Sequence, residues 1–230
     1  TQIELSSIAD IKNQLMSPRY SAPIVKLVQD SIIGSYLMTK NTSDMKWRDI
    51  MNLLVYARGI NYNDIIKKNL SGIQVYSKII PDKININAKT ADIKNGDIIK
   101  GYIKKSVLNN DIISHVWDRY GNITTTNLID NVQRLISNWL LMKGFTVGLG
   151  DAYIEKSVKD NIIELIEKKK LEIRHLITEM ENNPELMDPD LFEESIQSKL
   201  TAQKDVIQKI IMKHLDDKNN FNVMITSVIP

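Results

Sequence analysis

The sequence predicts an α+β fold: a mixed helix and antiparallel-sheet body followed by a long antiparallel αα-hairpin. Three observations carry this. Between Thr126 and Lys143, apolar residues (Leu128, Val132, Leu135, Ile136, Trp139 and Leu140) recur at helical spacing. Between Val75 and Ile103 the period changes, and Asn95-Gly96 supplies a two-residue turn tolerant of positive φ. From Glu155 onward one apolar stripe runs along a charged sequence, stops at Asn182-Asn183-Pro184 and resumes after Pro189.

Taken in order, Ile3, Leu5, Ile8 and Ile11 open the chain at roughly helical spacing. Pro18 stops any helix there, because the residue before a proline avoids the α region. Pro23 can open the next helix, with Ile24, Leu27, Val28, Ile32 and Tyr36 on one face. A further helix spans Lys46 to Ala57, with Trp47, Ile50, Met51 and Leu54 inward and Ser43-Asp44 as its cap. The run Val75 to Ile80 ends at Pro81, and Lys83 to Ala88 alternates apolar and polar residues. Ala91-Ile93 and Ile98-Ile103 flank the turn as a hairpin in a small sheet. Helical patterning returns at Asp111 to Tyr120 and at Thr126 to Lys143, which Gly144 ends before a strand-like Phe145-Thr146-Val147. The C-terminal stripes are Val158, Ile162, Leu165, Ile166, Ile173, Leu176, Ile177 and Met180, then Phe192, Ile196, Leu200, Ile207, Ile210 and Ile211. They face each other across a loop of about eight residues and form a projecting hairpin rather than a globular core.

Composition narrows the function. The chain has 230 residues and no cysteine, so disulfides and thiolate metal sites are excluded and a reducing, intracellular setting is favoured. No run of about 18 apolar residues crosses a bilayer, and Thr1-Gln2-Ile3-Glu4 shows no signal-peptide pattern. A net charge of +2 is too balanced for a stand-alone nucleic-acid binder. His115, His175 and His214 fall on different helices without ligand spacing, and no phosphate-binding or nucleophile motif is present. Trp47, Trp117 and Trp139 all lie on apolar stripes and read as core.

One stretch could carry chemistry. In Gly148-Leu149-Gly150-Asp151, two glycines could bring backbone amides against a phosphate, and Asp151 could hold magnesium. The plainer alternative is a glycine turn capped by Asp151 at the start of the next helix. Gln29-Asp30 is a polar pair set mid-helix among Leu27, Val28 and Ile32, facing either a channel or solvent.

Five blocks in order resemble the largest subunit of multisubunit DNA-directed RNA polymerases. Ser17-Pro18 to Pro23, leading to Val28-Gln29-Asp30-Ser31, is similar to that family's Ser-Pro…Pro…Val-Gln-Asp entry. Ser71-Gly72-Ile73-Gln74-Val75 with Ile80-Pro81, and Asn95-Gly96-Asp97-Ile98-Ile99-Lys100-Gly101 with Lys104-Lys105-Ser106, match two more. The strongest is Asn138-Trp139-Leu140-Leu141 with Gly144 to Asp151; Asn219-Asn220-Phe221-Asn222-Val223-Met224 resembles the end of the helical pair.

The resemblance implies a pore domain at residues 1–153 and a C-terminally incomplete funnel hairpin at 154–230, lining the secondary channel that admits nucleoside triphosphates. It implies channel-lining roles for Gln29, Asp30, Gly148, Gly150 and Asp151, and factor-docking roles for Lys168, Lys169, Lys170 and Arg174 on the hairpin exterior. No catalytic residue and no resident metal are expected here; magnesium belongs to the parent nucleotidyltransferase. Expected partners are other polymerase subunits, a transcript-cleavage factor, and DNA and RNA through the assembled enzyme, in the nucleus or, for a virus, the cytoplasm or virion. The rival expectation is a free-standing interaction protein whose hairpin forms a coiled coil through Phe192, Ile196, Leu200 and Ile207.

Overall fold

The computed structural model describes residues 1–41, 43–63, 65–182 and 188–228. They divide into two compact units: Thr1–Thr146 with Val223–Pro230, and Val147–Asn222. The architecture is α+β, as the sequence predicts.

In the first unit, α1 (Gln2–Glu4) continues into a π-helical turn, Leu5–Ala9, and a 3-10 turn, Ile11–Gln14. The apolar face of this segment, Ile3, Leu5, Ile8 and Ile11, is exposed. β1 (Met16–Ser17) then pairs antiparallel with β2 (Ala22–Pro23). The helix expected from Pro23 does not form there; α2 spans Asp30–Lys40. The cause is a competing partner. The Asn109 amide, 1% exposed, accepts from the Leu27 N–H and donates to the Leu27 carbonyl, both at 2.9 Å. Those two groups are then unavailable to a helix ladder. Of the apolar residues expected on one face ahead of α2, Leu27 is buried, and Ile24 and Val28 are each 58% exposed.

α2 is buried on nearly every side, which suits a helix at the centre of a core. Its hydroxyls are satisfied along the helix: Ser35 Oγ donates to the Ser31 carbonyl and Thr39 Oγ1 to that of Ser35, each at 2.6 Å. Gly34 permits the close packing of α2 on a long helix, α5 (Ile113–Lys143). A Cβ at Gly34 would lie 2.2 Å from Ile136 Cγ2.

β3 (Asp44–Met45) pairs with β4 (Leu70–Ser71), so Asp44 is a strand residue and not the cap of the next helix, α3 (Trp47–Leu54). The Trp47 N–H instead donates to Asn69 Oδ1 at 3.2 Å. Ile50, Leu53 and Leu54 face the core, but Trp47 is 37% exposed and lies beside the Arg48 guanidinium. Trp117 is 40% exposed, so of the three tryptophans only Trp139 is core. The run ending at Pro81 also differs from its sequence pattern. Gly72–Ser77 is helical (α4), and the Ser71 N–H at its start donates to Gln74 Oε1.

β5 (Ile86–Asn87), β6 (Ala91–Lys94) and β7 (Asp97–Gly101) form a three-stranded antiparallel sheet in that order. Asn95 and Gly96 turn between β6 and β7 at φ 53° and 84°, as the sequence predicts. Ile86, Ala91, Ile93 and Ile98 fill its inner face. Two hydroxyls tie helices to this sheet region: the Ile98 N–H donates to Ser77 Oγ at 3.0 Å, and the Ile103 N–H to Thr39 Oγ1 at 2.9 Å.

A π-helical turn, Val107–Ile112, leads into α5, which breaks at Gly121 (φ 76°, ψ −172°) and ends at Gly144 (φ 71°). The two helical patterns of the sequence are its two halves. Phe145-Thr146-Val147 is irregular rather than a strand. From α8 (Asn220–Val228), Val223 packs with Ile33 and Tyr36, whose ring meets Tyr102 edge-on at 5.2 Å.

In the second unit, a 3-10 turn (Leu149–Ala152) precedes α6 (Lys156–Asn182) and α7 (Pro189–His214). Asp188 caps α7 by accepting the Asp190 N–H at 2.9 Å. The expected stop at Asn183-Pro184 and most of the expected loop lie outside the described residues. Ile162, Leu165, Ile166, Ile173, Leu176 and Met180 are half-buried against half-buried Phe192, Ile196, Ile207, Ile210 and Ile211. Leu200 and Ile177 stay exposed. This is a thin two-helix seam.

Replacing Asn109 by Ala leaves the Leu27 N–H and carbonyl without partners. Urea unfolding is expected to show a loss of about 2–4 kcal/mol, against under ~0.5 kcal/mol for Asn110→Ala on the exposed side. Gly34→Ala drives a methyl into Ile136 and is expected to cost about 1–3 kcal/mol in the same measurement.

Candidate functional site

Gly148, Gly150 and Asp151 sit together in the 3-10 turn of the second unit. Neither glycine needs its conformational freedom: Gly148 has φ −93°, and Gly150 is not among the positive-φ residues. Neither is needed for space. A Cβ on Gly148 would meet only Asp151 Oδ2 at 3.7 Å, and one on Gly150 would meet nothing within 4 Å. Between them Leu149 is 93% exposed, and Tyr153 just beyond is 74% exposed. The loop therefore presents bare backbone and unpacked apolar side chains.

Asp151 holds that loop. Its Oδ2 accepts the Gly148 N–H at 2.8 Å, and its Oδ1 accepts the Asn220 N–H at 3.1 Å. Asn220 Nδ2 approaches Oδ2 at 3.4 Å, and Asn219 Nδ2 donates to the Asp151 carbonyl at 2.9 Å. The Gly148 and Asn220 amides hold the carboxyl below its usual pKa. With the folded value below the unfolded one, these bonds stabilise the turn at neutral pH. They are lost as pH falls through the lowered value.

This donor set does not fit a magnesium ion. Both carboxylate oxygens are already engaged by N–H groups, which an ion would have to displace. Among the described residues no group of three or more His, Asp and Glu could hold a metal. The capping alternative is the nearer one, with one change: Asp151 caps its own turn and α8, not α6.

Gln29 and Asp30 belong to the first unit and are not mid-helix. Gln29 is the residue before α2, at φ 49°, and Asp30 is the first helical residue. Both are exposed, and an acid in the first turn complements the helix dipole.

Lys168, Lys169, Lys170 and Arg174 lie along α6. Two are paired on their own helix: Lys169 Nζ with Glu172 at 2.6 Å and Lys170 Nζ with Glu167 at 2.7 Å. These lysines hold both glutamates below their usual pKa. Beside them the seam opens into a cleft of about 320 Å³. Its lining is Ile166, Ile173, Leu200 and Ile207, with Lys169, Lys170 and Lys204 among the flanking residues. Stripe periodicity treats those four apolar residues as interior. It misses the cleft because helix spacing, which opens it, is not encoded in the period.

The family model for RNA polymerase Rpb1, domain 3, matches residues 14–152. The chain is 35% identical over 234 residues to DNA-directed RNA polymerase subunit 1 of Acanthamoeba polyphaga mimivirus. That match covers 99% of this chain and 16% of the relative. It is 26% identical over 250 residues to a probable DNA-directed RNA polymerase II subunit RPB1 homolog of Invertebrate iridescent virus 6, covering 95% of this chain and 23% of that one. The chain thus spans less than a quarter of either relative. With more than half of its residues inside the family model, the chain belongs to the RNA polymerase Rpb1 domain 3 family.

Proposed function

We propose that this chain is a segment of the largest subunit of a viral DNA-directed RNA polymerase and acts as channel architecture in DNA-templated transcription. Residues 1–153 form its pore module and 154–230 its funnel hairpin, together lining the passage by which nucleoside triphosphates reach the active centre. Bond formation and its magnesium belong to the parent nucleotidyltransferase. The other subunits, with DNA and RNA, are partners through the assembled enzyme, in the nucleus, cytoplasm or virion.

The observation that carries this reading is the Gly148–Asp151 turn. Its glycines are required neither by backbone angle nor by neighbours within the described residues. A residue without a side chain then serves the close approach of something else, which suits a loop bordering a passage. Gln29 and Asp30 are assigned to the same passage. Family membership and two viral relatives support the parentage.

The hairpin is the docking surface for a transcript-cleavage factor in this reading. Its support is the apolar cleft beside Lys169, Lys170 and Lys204, with Lys168 and Arg174 on the same helix. An acidic partner with one apolar anchor matches that chemistry. The exposed Leu200 also suits the rival, a self-associating coiled coil. A stable dimer in sedimentation, broken by Ile207→Asp, would favour it.

Two measurements test the proposal. Gly150→Leu is expected to change chain stability by under ~0.5 kcal/mol, since nothing lies near its Cβ. In the assembled polymerase it is expected to raise the KM for nucleoside triphosphates several-fold; an unchanged KM removes the loop from the passage. Reversing Lys168, Lys169, Lys170 and Arg174 to Glu together is expected to cut factor-stimulated transcript cleavage about tenfold or more while basal elongation is kept. Unaltered cleavage would rule out docking there.

A further inference from the structure

The exposed Gly148–Asp151 turn has little packing to hold its shape. Leu149 faces solvent, Gly150 has nothing near its Cβ, and the glycine angles are ordinary. It closes on itself through the Gly148 N–H to Asp151 Oδ2 at 2.8 Å and the Asp151 N–H to the Gly148 carbonyl at 3.1 Å, and a second set of bonds comes from almost seventy residues downstream. The Asn219 side chain is used at both ends. Its Nδ2 donates to the Asp151 carbonyl at 2.9 Å, while its Oδ1 accepts the Phe221 N–H at 2.9 Å and the Asn222 N–H at 3.3 Å. One amide therefore caps α8 and grips the turn. Asn220 adds its backbone N–H, one of the first-turn donors that a helix leaves unsatisfied, to Asp151 Oδ1.

We infer that Asn219 and Asn220 are positioning residues for the Gly148–Asp151 turn, fixing from the downstream end of the hairpin the backbone that the nucleotide passage meets. This rests on the channel reading above. Neither residue touches substrate in this scheme; both act through Asp151. α6 leaves the turn and the chain after α7 returns to Asn219, so both ends of the hairpin meet at Asp151.

The two jobs of Asn219 can be separated. Asn219→Asp keeps an acceptor for the Phe221 and Asn222 amides but places an oxygen where Nδ2 donated. Asn219→Ala removes both functions. The measurement is hydrogen exchange of the 148–151 and 223–228 amides in polymerase assembled with each variant, beside the nucleotide KM and kcat. The expected result for Asn219→Asp is exchange about fivefold to tenfold faster at 148–151, the factor for one net hydrogen bond, with 223–228 unchanged. Asn219→Ala accelerates both segments. In both variants KM rises several-fold and kcat stays within about twofold, a split that a general loss of folding does not give. Wild-type exchange at 148–151 in Asn219→Asp overturns the inference. Faster exchange with an unchanged KM upholds the positioning role and refutes the channel reading instead.

Discussion

The first unit depends on buried side chains that hydrogen-bond to the backbone of segments far away in sequence. Asn109 holds both main-chain groups of Leu27, and Asn131 holds both of Arg58, accepting its N–H at 2.8 Å and donating to its carbonyl at 3.0 Å. Thr39 and Ser77 each take a donor next to the sheet. Each amide imitates one rung of a β-ladder on a helical scaffold. Irregular chain can then lie against an isoleucine-rich core without orphaned polar groups, each of which would cost about 1–3 kcal/mol. The strands are too short to do this themselves: among the described residues five of the seven have two residues, and β6 and β7 have four and five.

This constraint also explains which elements the sequence discloses. The second half of α5, the Asn95-Gly96 turn and the two hairpin helices are legible because their signals are local: a period, a positive-φ pair, and Pro189 in the first turn of α7. The segment from Pro23 to Gln29 is not. Its apolar spacing suits a helix, but Asn109, 82 residues on from Leu27, claims the backbone first. Period also fails for Trp47, because the stripe says which face is apolar and not how deeply its first residue sits. At α4, the Ser71–Gln74 cap is a local signal that was present, and the shift of period around it masked it.

The candidate site divides in the same way. The glycine spacing and the acid are visible in the chain, and so is the Asn-Asn that opens α8, a common capping pattern. Their meeting is not visible, since nothing in either pattern specifies a partner nearly seventy residues distant. Asp151 therefore reads as a possible ligand in isolation and becomes a structural acceptor once Asn219 and Asn220 are beside it. In the proposed reading the weight then moves from the carboxylate to the glycines, beside which a Cβ would meet little or nothing.

The hairpin is governed by a different balance. Helices of 27 and 26 residues are held by packing more than by intrinsic propensity. Their surface ion pairs, Lys169–Glu172 and Lys170–Glu167, are solvated and add little. Packing must come from the seam, and at Ile166, Ile173, Leu200 and Ile207 the seam is open. A partner side chain of leucine or phenylalanine size seated in that cleft would gain roughly 1.5–3 kcal/mol from its own burial. It would also cover the four residues that the hairpin leaves half-wet. Since such a partner binds only the folded hairpin, docking and hairpin stability share one free energy. A seam packed to completion would be the more stable rod and the poorer receptor.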